Sequence, residues 1–336
     1  MAIFNSTMIR TLLLALGLAW PHVNPEVVKL ATNVFAVIRR EPLGLAVNSN
    51  SLLIIGDSDV VVVDAQFTRL ATLETIAVIR HLTPKPVGVV INTHWHDDHV
   101  AGNQVYRDSF PSVRFVMQAN TAADFATLGA RNRTATVQGA PPVADRYTRL
   151  LNLGLGIDST PVSEVERASV ASALRIIRQY VAEAPGFRAI APDDTVDHRL
   201  TLRRGKTIID VRWFGCGNTR GDLVIHLPVQ RILATGDLVV APVPFAFNAY
   251  PATWPGVLDS LIALAPSIIV PGHGPVMRDV RYVRMVRDML IAARTDTLLD
   301  VFRRRIAGDE KWMNYLFKNF FLRPTVARTR EQPSCP

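Results

Sequence analysis

The sequence predicts an α/β protein with a helical insertion and C-terminal helices. PVGVVINT, residues 86–93, is a continuous apolar run of the kind a strand buried on both faces requires. Just before it, Gln66–His81 has helical spacing, with Leu70, Leu73, Ile76, Ala77 and Ile79 mostly on one side. Two strand-rich stretches then flank a segment, about 132–195, whose character is helical and loop-like.

In chain order, residues 1–20 read as a signal peptide. MAIFNSTMIR carries one arginine and no acid, TLLLALGLAW is a short apolar run, and Gly17-Leu18-Ala19 offers small residues near its end. The run is too short for a comfortable membrane span, so the expectation is a periplasmic or secreted protein with no membrane attachment in its mature form. Asn33–Arg39, Ser51–Ile55 and Val60–Asp64 are β-branched or apolar runs bounded by turn residues and read as strands. Arg114–Gln118 is a further strand and Thr121–Arg131 a helix.

Within the insertion, VQGAPPVAD and IDSTPVSEVERA read as loops around helical segments near 144–152 and 163–184. Strands resume at His198–Leu202, Thr207–Phe214, Asp222–Leu227 and Arg231–Ala234, followed by a helix near 254–265 and the strand SIIV. Residues 281–322 read as C-terminal helices packed on the body, and 323–336 as an irregular tail.

Composition narrows the partners. The formal charge is +8, but the cations are mostly arginines, many between Arg278 and Arg330, with no basic run interleaved with aromatics. That argues for a solvated basic face rather than a nucleic-acid surface. The two cysteines, Cys216 and Cys335, read as free thiols, the second on the tail. His22, His81, His198 and His226 have no ligand-type company at useful spacing and read as structural or surface groups.

The apolar run ends in INTHWHDDHVAGN, which holds three histidines and two aspartates in six consecutive positions. His94, His96 and Asp98 alternate, so an extended segment aims all three one way, and His99 requires a turn after Asp98. The four can serve two adjacent metals, His94 and His96 for one, Asp98 and His99 for the other, with Asp97 pointing away. Zinc accepts both imidazole nitrogen and carboxylate oxygen. Two later strand ends supply partners: LATGDLV places Asp237, and PGHGP places His273 between glycines that let backbone approach a crowded centre.

With these motifs the chain resembles the metallo-β-lactamase superfamily of metal-dependent hydrolases, through VVVVDAQ, HWHDDH, GCGNTRGD, ATGD and PGHGP over about residues 28–280. The resemblance implies a four-layer αββα sandwich with metal at one edge. It assigns His94 and His96 to a first metal, Asp98, His99 and His273 to a second, and Asp237 to a bridging or flanking place. GCGNTRGD departs from the family's usual Gly-His-Thr-x-Gly-Asp: Asn218 stands where the first metal's third histidine is expected. An amide oxygen is a poorer zinc ligand than imidazole, so the first site should bind less tightly. Either Asn218 coordinates weakly, or water fills the gap, or only the second site fills at low metal.

The resemblance further implies Zn2+ (one or two ions, with Fe or Mn as alternatives) and water acidified by the metal that attacks a carbonyl, with Asp98 orienting the nucleophile. The substrate is a small molecule: an ester, lactone, thioester or β-lactam. Asp237 leans toward glyoxalase II-type thioesterases and lactonases, since many true β-lactamases carry cysteine or serine there, while export leans away from cytosolic thioesters. β-Lactam hydrolysis proper and a non-catalytic metal-binding scaffold are the alternatives. Phe245, Phe247, Tyr250 and Trp254, directly after Asp237, are candidates for an apolar substrate wall.

Overall fold

The computed structural model describes residues 25–336 except 43, 45, 296–298, 309, 332–334 and 336. The leader expected over residues 1–20 lies outside the described residues. The first sheet runs in sequence order: β1 (Glu26–Ala31), β2 (Val34–Ile38), β3 (Ser51–Ile55), β4 (Val60–Val63), β5 (Val87–Ile91), β6 (Arg114–Gln118) and β7 (Asp194–Val196). The first four strands pair antiparallel, and β4 through β7 are parallel. The second sheet has the order β12-β11-β10-β9-β8, built from β8 (Arg199–Arg204), β9 (Thr207–Trp213), β10 (Leu223–Leu227), β11 (Ile232–Ala234) and β12 (Ile268–Val270).

Burial follows the residue pattern. SLLII in β3 and VVVV in β4 are buried at every position, as central strands covered on both faces must be. RLTLRR in β8 alternates exposed and half-buried residues, the signature of an edge strand with one wet face. Val61, Val63, Val89 and Ile91 of the first sheet meet Val211, Ile225, Ile232 and Val270 of the second in the central core. The outer face of the first sheet packs on helices α1 (Arg69–Leu82) and α3 (Asn103–Ser109) through Ile76, Ile79, Val105 and Tyr106. The outer face of the second packs on α7 (Trp254–Ala263), α8 (Arg281–Thr295) and the C-terminal helices. The result is four layers, α, β, β and α.

Three expectations need correction. VQGAPPVAD is not a loop: Ala130–Asn152 is one helix, α5, that continues from α4 (Ala119–Asp124) through a π turn at Phe125–Gly129 and contains Pro141 and Pro142. Val137, Ala144, Tyr147 and Leu151 recur at helical spacing and pack inward, so tertiary contact with α6 (Glu164–Glu183) overrides the breaker signal. The tail is not irregular: after α9 (Leu299–Ala307) and α10 (Lys311–Leu316), residues Arg323–Glu331 form α11. The cysteines are not free: Cys216 and Cys335 are disulfide-bonded, 119 residues apart in sequence. α11 makes this possible by turning the chain back, with Arg328 Nε donating to the Ala249 carbonyl at 2.9 Å. Two strands, β1 and the short β7, were not foreseen.

Candidate metal centre

β5 ends at Ile91, and the chain bends through Thr93–Trp95 into the single helical turn α2 (Asp97–Val100). The extended geometry expected for His94 through Asp98 therefore gives way to a bend followed by a turn of helix. Asp97 and Asp98 occupy the first turn of that helix, where carboxylates meet free backbone N–H groups. His94 lies within the bend and His96 caps the helical turn that carries Asp98 and His99.

Asp237 sits on a 3-10 turn (Gly236–Leu238) after β11, and His273 follows β12. The glycines of both motifs are steric necessities. A Cβ on Gly272 would lie 2.0 Å from Asp237 Oδ1; one on Gly236, whose φ is +51°, would lie 2.4 Å from Thr93 Oγ1.

Two ligand sets converge. Asp98, His99, Asp237 and His273 form one, and His94, His96 and Asp237 the other, with ligand atoms within 4.8 Å of one another in each. Asp237 belongs to both: Oδ1 lies 3.2 Å from His99 Nε2 and 3.4 Å from His273 Nε2, while Oδ2 lies 3.8 Å from His94 Nε2. Asp98 Oδ2 closes the first set at 2.9 Å from His273 Nε2 and 3.4 Å from His99 Nε2.

Each histidine is oriented by the nitrogen it turns away from the centre. His99 Nδ1 meets Asp64 Oδ2 at 2.8 Å, and His273 Nδ1 meets the Asn48 carbonyl at 3.1 Å. Thr93 Oγ1 gives its hydrogen to the Asp64 carboxylate (2.9 Å to Oδ2, 3.1 Å to Oδ1), so it accepts from His94 Nδ1 at 3.0 Å. His96 Nε2 meets Asn248 Oδ1 at 2.9 Å. These partners are acceptors, so in each neutral ring the inner nitrogen is the one that carries the lone pair. His94 Nε2 and His96 Nδ1 then face each other across 2.9 Å, an arrangement that two lone pairs tolerate only with a cation or proton between them. His99 Nε2, His273 Nε2, Asp237 Oδ1 and Asn218 Oδ1 are buried without a hydrogen-bond partner among the described residues. Buried polar atoms are rarely left so, and a metal ion held by the ligand sets would satisfy those of His99, His273 and Asp237.

Electrostatics reinforce the geometry. Burial holds the His94 ring well below the ordinary imidazole value, and His99 and His96 push the same way. Burial opposes charge on Asp98 and Asp237, yet the surrounding histidines outweigh it and hold both carboxyls below the usual range. Burial likewise opposes charge on His99 and His273, but carboxylates win: Asp64, Asp98 and Asp237 for the former, Asp237 and Asp98 for the latter. Ionised carboxylates paired with imidazoles are the donor set that divalent metals take.

Asn218 lies buried at the loop between β9 and β10, and its Nδ2 donates to the Phe245 carbonyl at 2.5 Å. That carbonyl can only accept, so the amide orientation is settled and Oδ1 is the atom left over. Asp222 shapes the same loop by accepting from Thr219 N and Oγ1, both at 2.8 Å. Its own carboxyl is pushed up to about 7, chiefly by burial. Asp97 turns away from the centre to Arg133 (2.6 Å) and Tyr180, so both insertion helices grip the residue next to Asp98.

Of the aromatic candidates, Phe245 packs its ring 5.6 Å from that of His273, and Phe247 is 48% exposed beside it. Tyr250 lies under the Arg328 guanidinium. Trp254 is a correction: it is wholly buried, since it begins α7 and points into the core beside Leu238 rather than toward solvent. Asp64, Thr93 and Asn248 escaped the sequence reading. Asp64 carried a signal in its place at the end of VVVV, where a lone acid closes a buried strand.

Fold and site together define a class: an αββα sandwich that gathers buried histidines and carboxylates at the ends of its strands. The chain belongs to the metallo-beta-lactamase superfamily, whose family model matches residues 44–273. Members of that superfamily bind metal ions and are mostly hydrolases. Among solved structures, the chain is similar to a metallo-beta-lactamase from Pontibacter korlensis (22% identity, TM-score 0.56, covering 80% of this chain and 99% of that one). It is also similar to the DIM-1 metallo-beta-lactamase (18%, TM-score 0.52, 80% and 98%) and to TMB-1 (17%, TM-score 0.53, 81% and 99%). At these identities the likeness is one of fold.

Proposed function

We propose that the chain is a zinc-dependent hydrolase of small carbonyl substrates, an ester, lactone, thioester or β-lactam. The observation that carries this reading is the pair of ligand sets sharing Asp237, with an outer acceptor on each histidine that turns its other ring nitrogen toward the centre. His94, His96 and Asp237 would hold one ion, with Asn218 Oδ1 as a further oxygen donor; Asp98, His99, His273 and Asp237 would hold the other.

A bound zinc ion supplies Lewis acidity and lowers the pKa of its water to about 7. The chain's residues do the rest. Asp98 and His96 are the ligand-type residues with an open face; the Asp98 side chain is 21% exposed where those of His99 and Asp237 are buried. It meets entering water and substrate, orients the nucleophile and takes up its proton. His94, His99 and Asp237 keep bulk water from the inner face. Phe245 and exposed Phe247 offer an apolar wall to the substrate.

Export to an oxidising compartment belongs to the same proposal. The apolar leader supports it, and so does the Cys216–Cys335 bridge, because disulfides persist in such compartments. The unusual Asn218 favours a second reading, a metal-binding scaffold that has lost turnover.

Metal analysis of the purified chain, with hydrolysis assays on a β-lactam, a lactone, a thioester and a generic ester, separates the two. Bound zinc and turnover of at least one substrate, abolished in Asp98→Ala and His99→Ala, are expected. Zinc without turnover of any of the four favours the scaffold, and absence of zinc sinks both readings.

A further inference from the structure

Four histidines face the centre, and for three of them the outer partner sits on or beside the first sheet. His99 and His94 depend on Asp64, directly or through Thr93, and His273 depends on the backbone of Asn48. His96 differs. Its outer nitrogen reaches Asn248, 152 residues away, on the turn that follows Phe245. His96 is also the ring that offers Nδ1 rather than Nε2 inward, toward His94 Nε2.

That turn is not free to place Asn248 by itself. Asn218 Nδ2 holds its start through the Phe245 carbonyl, and the Gly217 carbonyl holds its end by accepting from Tyr250 N at 2.8 Å. Ala246 N donates to the Phe320 carbonyl at 2.9 Å, and Arg328 Nε to the Ala249 carbonyl at 2.9 Å, so the C-terminal helices hold the other side. Loop 215–222 and the C-terminal segment therefore clamp one short turn between them.

We propose that Asn248 is a positioning residue that fixes His96 with Nε2 protonated and Nδ1 bare toward the first metal, and that Asn218 serves by anchoring the turn that carries it. The proposal rests on the metal reading above for its consequence, though not for its geometry. An imidazole has one N–H when neutral, so an acceptor on Nε2 selects the tautomer whose Nδ1 can ligate. A residue in that outer place commonly changes metal affinity 10–100-fold when removed. On this account Asn218 exchanges a direct imidazole ligand for control of a neighbouring one. Its amide nitrogen works on the turn, and its unpartnered Oδ1 is left to face a cation.

The test uses the full chain labelled with 15N-histidine. Long-range 1H–15N correlations in chelator-treated protein report which nitrogen of His96 carries hydrogen. Zinc titration against a competing chelator then reports both binding steps. Wild type should show His96 protonated at Nε2. Asn248→Ala should mix the tautomers and weaken the weaker zinc step about 10–100-fold while the tighter step stays unchanged. Asn248→Asp, which keeps the acceptor, should restore the wild-type tautomer and zinc affinity, and Asn218→Ala should shift both readouts as Asn248→Ala does. A wild-type His96 with no hydrogen on Nε2, or an Asn248→Ala variant with unchanged tautomer and unchanged zinc steps, overturns the proposal. Should wild type bind no zinc, the metal reading falls while the tautomer still decides this inference.

Discussion

Asp64→Asn is the sharpest test of the centre because it keeps size and removes one acceptor. Asp64 takes hydrogens from Thr93 N at 2.8 Å on Oδ1, from Thr93 Oγ1 at 2.9 Å on Oδ2, and from His99 Nδ1 at 2.8 Å on Oδ2. An asparagine offers one oxygen and one NH2 group to the same donors. With the oxygen kept on Thr93 N, the NH2 faces His99 Nδ1, which must then give up its hydrogen. His99 would carry it on Nε2 instead, the nitrogen 3.2 Å from Asp237 and 3.4 Å from Asp98. A protonated Nε2 cannot ligate, so zinc binding at the set of Asp98, His99 and His273 should weaken about 10–100-fold, or about 1.4–2.7 kcal/mol. With the amide flipped, Thr93 N loses its acceptor in a buried place, and the fold should lose about 1–3 kcal/mol. Chelator-competition titration reads the first outcome and urea unfolding of the zinc-free protein reads the second. If neither affinity nor stability changes, Asp64 does not orient His99 and the account of the inner nitrogens fails.

Other consequences follow from the same contacts. Cys335→Ser opens a covalent loop whose ends are 119 residues apart, for which the chain-entropy limit is about 5 kcal/mol, and a loss of about 2–5 kcal/mol in urea unfolding is expected; coincident unfolding curves would refute a stabilising bridge. Arg133→Ala leaves buried Asp97 with Tyr180 as its partner and should destabilise by about 3 kcal/mol, read by the same unfolding assay, and an unchanged midpoint would count against the grip of the insertion. In zinc-free protein, His99 and His273 have raised folded pKa values, so they add stability that is complete below about pH 6.5 and is lost as pH rises through those values. Zinc must displace those protons, so loading at pH 7 should release them and apparent affinity should fall as pH drops; calorimetric heats independent of the buffer's ionisation enthalpy would contradict this.

What the sequence made legible was whatever leaves a local mark. Buried strands marked themselves by unbroken apolar runs, as in VVVV and VGVVI. The motif residues His94, His96, Asp98, His99, Asp237 and His273 marked themselves by spacing and flanking glycines, and the structure brings them together. Features fixed by distant partners left no such mark. Pro141 and Pro142 read as a loop because the stripe that packs α5 on α6 is a tertiary fact. Trp254 read as a wall because nothing local says that α7 turns its first residue inward. Cys335 read as a free thiol because pairing depends on α11 returning the tail to the loop at Cys216.

The same distinction locates what sets this chain apart at its centre. In one half of the site, His99 and His273 are held by Asp64 and Asn48, which lie on or beside the first sheet. In the other half His94 also rests on Asp64 through Thr93, but His96 depends on a turn clamped between loop 215–222 and the C-terminal segment, and the Cys216–Cys335 bridge joins those two clamps covalently. On the proposal above, a change in the C-terminal segment should reach His96 through Asn248, while Phe245 of the same turn packs on His273. The matched family segment ends at residue 273, so the helices that hold this turn lie beyond it. A histidine at 218 would tie the first metal directly to loop 215–222. Asparagine there instead holds the turn from the loop side while the C-terminal helices hold its other side, so on the proposal above a mutation in either clamp should weaken the His96 half.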